Sequence, residues 1–150
     1  MNTTGKFTGL NPTHLDFPEV LELDQTQFPR PWSAKDWQEL NWDHYLLFGW
    51  QLENQLVGFA FFSFIPSDDS AHLLKICVQT YLRGLGTAQA FWESCQSHLK
   101  TAGTKSIYLE VEALNPRAIG FYNKLGFETL RKVKGYYSDG SDAVTMQMTF

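Results

Sequence analysis

The order of apolar runs and turn signals predicts an α/β protein in which a mixed sheet carries helices on both faces. Tyr45–Leu52 and Leu56–Ile65 are apolar runs separated only by Glu53-Asn54-Gln55, the pattern of a β-hairpin. The second run places Phe on both parities, so both faces of that strand are expected to be covered. Beyond residue 72, strand-type and helix-type segments alternate to the C-terminus, which distributes helices over both sides of a sheet.

The elements run in this order. A short strand is expected near Lys6–Leu10, then a helix suggested by Phe17, Val20, Leu21, Leu23 and Phe28 and stopped by Phe28-Pro29-Arg30-Pro31-Trp32. Ser33-Ala34-Lys35-Asp36 resembles a capping box with Asp in place of Glu, opening a short helix through Leu40. After the hairpin, the loop Pro66–Ser70 leads to an apolar strand at His72–Val78. A helix is expected from about Gly84 to Lys100, where Ala88, Phe91, Trp92, Cys95 and Leu99 form one apolar stripe. Ser106–Glu112 reads as a strand. Asn115-Pro116 reads as an N-cap followed by Pro at the first helical position, and Gly126 as the left-handed residue that ends that helix. Strands near Glu128–Lys134 and Ala143–Phe150 close the chain.

Composition narrows the function. With 150 residues and neither repeat nor linker, the chain is expected to be one domain, residues 1–150. A net charge of −4 with only 12 Lys and Arg argues against nucleic acid as a partner. No apolar segment approaches the ~18–20 residues of a membrane span, so no membrane partner is expected. Cys77 and Cys95 have no metal-ligand spacing and read as buried thiols, and the N-terminus lacks a secretory pattern; a cytoplasmic protein is expected, with no metal. His14, His44, His72 and His98 are scattered and suggest no ligand cluster.

The chemistry concentrates where the Ile76–Val78 strand turns through Arg83-Gly84-Leu85-Gly86-Thr87 into a helix. Two glycines at a helix mouth let a ligand approach the backbone, the unpaired N–H groups of the first turn favour an anion, and Arg83 adds a full charge. A phosphate or pyrophosphate is the natural guest. The Gly-Lys-Ser/Thr ending of a P-loop is missing, and Gln89 stands where a dinucleotide fingerprint needs its third glycine. Alone, Gly84 and Gly86 could as well make an ordinary strand-to-helix turn.

Thirty-one residues after Gly84 comes Asn115-Pro116-Arg117-Ala118-Ile119-Gly120-Phe121-Tyr122-Asn123-Lys124-Leu125-Gly126-Phe127. Together with Phe28-Pro29…Pro31-Trp32-Ser33, Leu74–Val78, Leu109-Glu110-Val111 and Tyr136-Tyr137…Asp142-Ala143, this resembles the GNAT superfamily of acetyltransferases. Within it the chain is most similar to the RimI-type enzymes that acetylate the N-terminal amine of a ribosomal protein. The resemblance implies a seven-stranded mixed sheet that splays between its fourth and fifth strands, with acetyl-coenzyme A (acetyl-CoA) in the cleft. It implies that Ile76, Cys77 and Val78 hold the thioester and pantetheine arm. Leu82, Arg83, Gly84, Leu85, Gly86 and Thr87 would wrap the pyrophosphate, and Asn115 would touch the cofactor arm. Glu110 matches the family's proton acceptor and Tyr122 its proton donor.

The reaction explains such groups. An amine attacks a thioester only when neutral, yet an α-amino group has a pKa near ~8 and is largely protonated at neutral pH. A base must take that proton, and the departing thiolate needs one from an acid such as a tyrosine hydroxyl. Glu112 shares the parity of Glu110 and is a rival base; Tyr122, beside Ile119 and Leu125, could instead be a core aromatic. Trp32, Tyr136 and Tyr137 could line an acceptor groove or simply pack. The sequence departs from the family at Tyr81, Lys75, Glu112 and Gly135, and its loop from Val78 to Gly84 is shorter. Three functions are open: an acetyltransferase for protein N-termini, one for a small-molecule amine such as a polyamine or aminoglycoside, and a cofactor-binding sensor without turnover.

Overall fold

The computed structural model describes residues 5–64 and 67–150. Seven strands form one sheet in the order β1-β2-β3-β4-β5-β7-β6. These are β1 (Lys6–Leu10), β2 (Tyr45–Leu52), β3 (Gln55–Phe64), β4 (Ser70–Val78), β5 (Ser106–Glu112), β6 (Glu128–Val133) and β7 (Ala143–Thr149). The pairings are antiparallel except that β4 runs parallel to β5. Helices α1 (Phe17–Gln27) and α2 (Ala34–Gln38) cover one face, and α3 (Thr87–Thr101) and α4 (Pro116–Leu125) the other.

Local chemistry explains most boundaries. Glu53 and Asn54 both take positive φ (50° and 66°), so the hairpin turns on two residues and Gln55 already belongs to β3. Such a turn matches the twist of its flanking strands. The expected end of this strand at Ile65, and Pro66 in the loop, lie outside the described residues. The α2 capping box forms as the sequence suggests: Asp36 N–H donates to Ser33 Oγ (3.1 Å) and Ser33 N–H to Asp36 Oδ2 (3.0 Å). Helix α3 starts at Thr87, three residues later than the sequence suggests. Gly84 and Gly86 both have φ of 78°, which an α-helix cannot include, so the segment before it is a 3₁₀ turn (Thr80–Leu82) followed by the glycine turn. Gly126 ends α4 at φ 109°, with its own N–H and that of Phe127 bonded back into the helix.

Strand β3 lies at the centre. Phe59 and Phe61 pack with Val20, Leu23 and Trp37 of α1 and α2, whereas Ala60 and Phe62 pack with Phe91, Trp92 and Cys95 of α3. Both faces are covered, as the Phe pattern predicts.

Strand β4 is bent, and it separates early from its neighbour. Phe61 pairs with Lys75 but Phe62 pairs with Leu73, leaving Leu74 as the extra residue of a bulge, which bends and twists the strand. In addition, β4 pairs with β5 over three rungs only, Ser70–His72 against Ser106–Tyr108. Beyond them the strands diverge into a cleft, while β4 stays paired with β3 as far as Val78. This is the splay that the resemblance implied.

A buried ion pair locks α1 to β4. Lys75 Nζ lies 2.5 Å from Asp24 Oδ1, and Asp24 Oδ2 accepts from Trp32 N–H and Trp37 Nε1–H, both at 2.9 Å. Lys75 Nζ also sits 4.7 Å from the Trp32 ring centre. Burial lowers the Lys75 pKa while the Asp24 carboxylate opposes that shift. Removing one partner would strand a buried charge, so Asp24→Ala is expected to destabilise the fold by about 3–5 kcal/mol. Urea denaturation checks this: Asp24→Leu combined with Lys75→Met should lose clearly less than Asp24→Ala alone.

Candidate functional site

The cleft opens where β4 and β5 part, and β4 leads from it into the glycine turn. Gly86 is the N-cap of α3 and supplies no side chain to the helix end. The N–H groups of Thr87, Ala88 and Gln89 therefore lack helical partners, and those of Gly84 and Gly86 have no backbone acceptor among the described residues. A Cβ built on Gly84 or Gly86 would meet no protein atom within 4 Å. The backbone is bare and faces open space, with the α3 dipole behind it. Arg83 is exposed at the same turn, while Leu82 anchors it by packing into the core. Leu85 is 70% exposed. Backbone N–H groups at a helix end, beside an exposed arginine, are chemically suited to an anion such as a phosphate.

Along β4, Ile76 and Val78 face the α3–α4 core and Cys77 the α1–α2 core. Gln79 N–H bonds back to Val57 O at 2.8 Å, toward β3. Because N–H groups alternate direction along an extended strand, the Val78 N–H turns the other way, toward the gap left by β5. It is a donor available to a carbonyl or an oxyanion there. Burial pushes the Cys77 thiol up to about 12, so it is no nucleophile.

Asn115 is the N-cap of α4, and its Oδ1 accepts from Ala118 N–H at 3.1 Å. Only its amide nitrogen remains to donate to a ligand. Tyr122, two turns on, packs beside Phe127 with ring centres 5.9 Å apart, and its hydroxyl has no hydrogen-bond partner among the described residues. Burial, then the neighbouring Tyr137 and Cys77, push its phenol up to about 12, above the ordinary tyrosine value. It stays protonated and can donate a hydrogen bond, with less tendency to give the proton up completely than an exposed tyrosine.

Glu110 and Glu112 share a face of β5 but have different partners. Glu112 is engaged by Arg30, whose guanidinium also reaches Asp139 at 2.9 Å and stacks over the Tyr137 ring at 4.1 Å. Hydrogen bonding to Glu112 is the main reason the Arg30 pKa is raised. Glu110 meets His72, with Nε2 2.5 Å from Oε2. Tyr136 stands close enough that the Glu110 charge, after burial, raises the Tyr136 pKa. The rings of Tyr136 and Tyr137 meet edge-on at 4.9 Å. Trp32 lies elsewhere in the wall, packed on Trp37 and Phe61 with ring centres at 5.0 and 5.5 Å.

Thus Glu110, Tyr136 and Tyr137 come together as candidate acceptor-side groups, whereas Trp32 is packed among the aromatics of the α1–α2 core. Sequence reasoning misses two residues. It gives His72 no role and takes Arg30 only as part of a helix stop; the parity of His72 with Tyr108 on a paired rung is visible only once the strands are assembled. Among the described residues, no group of three His, Cys, Asp or Glu side chains is close enough to hold a metal ion. No helix among them is long and apolar enough to cross a membrane.

Comparison with known proteins gives this geometry a family. Residues 17–127 match the Acetyltransferase (GNAT) family. The [ribosomal protein bS18]-alanine N-acetyltransferase of Escherichia coli K12 is 29% identical over 136 residues, covering 89% of this chain and 90% of that protein. The N-alpha-acetyltransferase of Saccharolobus solfataricus is 36% identical over 91 residues, 59% of this chain and 54% of that protein. The crystal structure of the Escherichia coli ribosomal-protein-S18-alanine N-acetyltransferase superposes with a TM-score of 0.84 at 28% identity, covering 97% of this chain and 94% of that one. Arabidopsis thaliana NAA60, solved with acetyl-CoA, shares the fold with a TM-score of 0.81 at 18% identity, over 98% and 100% of the two chains. With the family matched across most of its length, and the bare glycine turn and splayed cleft such a cofactor needs, the chain belongs to the GNAT family and is an acetyl-CoA-dependent N-acetyltransferase.

Proposed function

We propose that the chain, acting as one catalytic domain, transfers acetyl from acetyl-CoA to the α-amine at the N-terminus of a protein. The names of its relatives support this acceptor, since both act on α-amines or a ribosomal protein's alanine. The observation that carries the reading is the fork of β4 and β5, with Glu110 two residues past the last paired rung. In this reading the glycine turn binds the pyrophosphate through backbone N–H groups and Arg83. Ile76, Cys77 and Val78 line the thioester arm, and the Asn115 amide nitrogen donates to it. Glu110 takes one proton from the acceptor ammonium, the neutral amine attacks the thioester carbon, and the Val78 N–H stabilises the oxyanion. Collapse breaks the carbon–sulfur bond; Tyr122, the acid, passes its hydroxyl proton to the leaving sulfur and takes the surplus proton from the nitrogen that becomes the amide, so CoA leaves as the thiol. Tyr136 and Tyr137 would border the incoming chain, and Trp32, packed on Trp37 and Phe61, would serve the acceptor groove from the α1–α2 side.

A polyamine or aminoglycoside site would need carboxylates free to bind several cations. Here Glu112 and Asp139 are both occupied by Arg30, so the peptide acceptor is the better reading. We also propose a cytoplasmic location, which the two free thiols Cys77 and Cys95 suit. The test is an acceptor screen following thiol release from acetyl-CoA across peptide N-termini, free lysine, spermidine and an aminoglycoside. A peptide with a small first residue should give the highest kcat/KM; equal efficiency on spermidine would sink the assignment.

Tyr122→Phe tests the acid. The ring and its packing remain, so stability and acetyl-CoA binding should change little. Turnover should fall, and the fall should shrink with an activated acetyl donor whose thiol is more acidic, because that thiolate departs without help. Equal slowing with both donors would mean that Tyr122 only positions the cofactor.

A further inference from the structure

Acetylation of an ammonium by a thioester releases one proton per turnover: R–NH₃⁺ plus acetyl-CoA gives R–NHAc, free CoA thiol and H⁺. The base that receives this proton must lose it again before the next cycle, and it sits in a partly closed cleft. The Glu110 side chain is 17% exposed.

We propose that His72 is the second carrier of this proton, taking it from Glu110 and passing it to water through a separate cavity behind the β4–β5 rungs. The inference rests on the reading of Glu110 as the base. His72 Nε2 lies 2.5 Å from Glu110 Oε2, so transfer needs no intervening water. The imidazole is held in place by stacking on Tyr108, with ring centres 4.3 Å apart and planes 16° from parallel. Tyr108 is its neighbour on the last rung where β4 and β5 still pair. An imidazole has two ring nitrogens, so it can take a proton at one and release one from the other, which suits it to carry a proton onward from a carboxylate.

An exit for the proton adjoins the imidazole. His72 and Tyr108 border a cavity of about 210 Å³ whose other walls include His44, Ser63, Asp68 and Ser70. Glu110 does not border it. His72 therefore stands between the Glu110 carboxylate and a cavity of mixed lining with room for several waters, where His44, Ser63, Asp68 and Ser70 offer them polar partners. The groups facing the pair are Asp68 from the loop before β4, His44 and Tyr45 at the start of β2, Tyr108 and Glu112 on β5, and Tyr136 and Tyr137 from the β6–β7 loop. Tyr136 also hydrogen-bonds to Glu110, but its phenol already carries a proton that burial and the Glu110 charge hold more firmly, so it can only donate; His72 is the neighbour with a nitrogen able to accept. The rival carboxylate, Glu112, has no imidazole beside it and is bound by Arg30, which cannot accept a proton.

The experiment compares the parent with His72→Gln, His72→Ala and Glu110→Gln on the best acceptor peptide, from pH ~6 to ~9, spanning the α-amine pKa of ~8. Glutamine can still donate a hydrogen bond to Glu110 but cannot carry a proton. Turnover of both His72 variants should fall at least ~10-fold near neutral pH, less than the ~10²–10⁴ of a direct acid or base. The deficit should narrow above the amine pKa, where the acceptor arrives already neutral. Added imidazole should restore His72→Ala and leave Glu110→Gln unchanged. Melting temperatures and the stabilisation by acetyl-CoA report on folding of each variant. Parental rates in His72→Gln, or a loss that is flat with pH and indifferent to imidazole, would overturn the relay and leave His72 a structural neighbour. If Glu110→Gln itself is harmless, the base assignment fails first, and the two failures are thereby distinguished.

Discussion

Replacing Glu110 by Gln should lower turnover at neutral pH by about 10²–10⁴, the range typical of a lost general base. Glutamine keeps the size of the side chain and can still hydrogen-bond to His72, so the fold should be untouched. Acetyl-CoA binding should also survive, because the bare N–H groups of Gly84, Gly86 and the first turn of α3 belong to a different part of the cleft. Glu112→Gln supplies the contrast. It removes the charge that Arg30 grips, and with it part of the clasp joining the loop after α1 to β5 and the β6–β7 loop. The expected result is a moderate rise in KM for the acceptor with kcat nearly kept. Steady-state kinetics of both variants against one peptide decides between the two carboxylates. A collapse of kcat in Glu112→Gln, with Glu110→Gln close to the parent, would reverse the roles.

The second large effect is expected at Gly86. With acetyl-CoA at ~100 times its Kd, the parent should gain ~2.7 kcal/mol of stability and melt at a higher temperature. Gly86→Val should lose this gain. The residue has φ of 78°, a conformation that a β-branched side chain adopts only under strain, and a Cβ there would project into space that no protein atom fills. That space is where a phosphate would approach the helix end. The variant should therefore fold, somewhat less stably, yet show no cofactor-dependent shift. Gly103, also at positive φ (97°) with no neighbour within 4 Å, is the control: Gly103→Val carries similar strain and should retain the full shift. A full cofactor response in Gly86→Val would mean that the pyrophosphate lies elsewhere.

Much of this was legible in the sequence because the signals are local. The Ser33–Asp36 box, Asn115-Pro116, Gly126 and the hairpin turn read at Glu53-Asn54-Gln55 each act over four residues or fewer, within reach of one side chain and a nearby backbone group. The apolar stripe of α3 and the two-faced Phe pattern of β3 needed only the helix and strand periods. The glycine turn was readable for the same reason, although the helix behind it was expected three residues too early. A count of apolar positions does not register that both glycines are left-handed.

The partners of the chemical groups were decided only by the tertiary structure. Period two puts Glu110 and Glu112 on the same face of β5 and cannot say what stands opposite either one. His72 is 38 residues from Glu110, Arg30 is 82 from Glu112, and Lys75 is 51 from Asp24. Each of these contacts acts over a few ångströms, so each depends on strand register, on the Leu74 bulge and on the short β4–β5 pairing. The proton affinity of Tyr122 belongs to the same class: a phenol near ~10 in water is pushed up to about 12 by burial and by neighbours from β4 and the β6–β7 loop. Sequence determined which groups this protein has and which face of an element each occupies. Which of them touch, and how tightly each holds its proton, was left to the packing, because hydrogen bonds and desolvation are set by distance in space and are indifferent to distance along the chain.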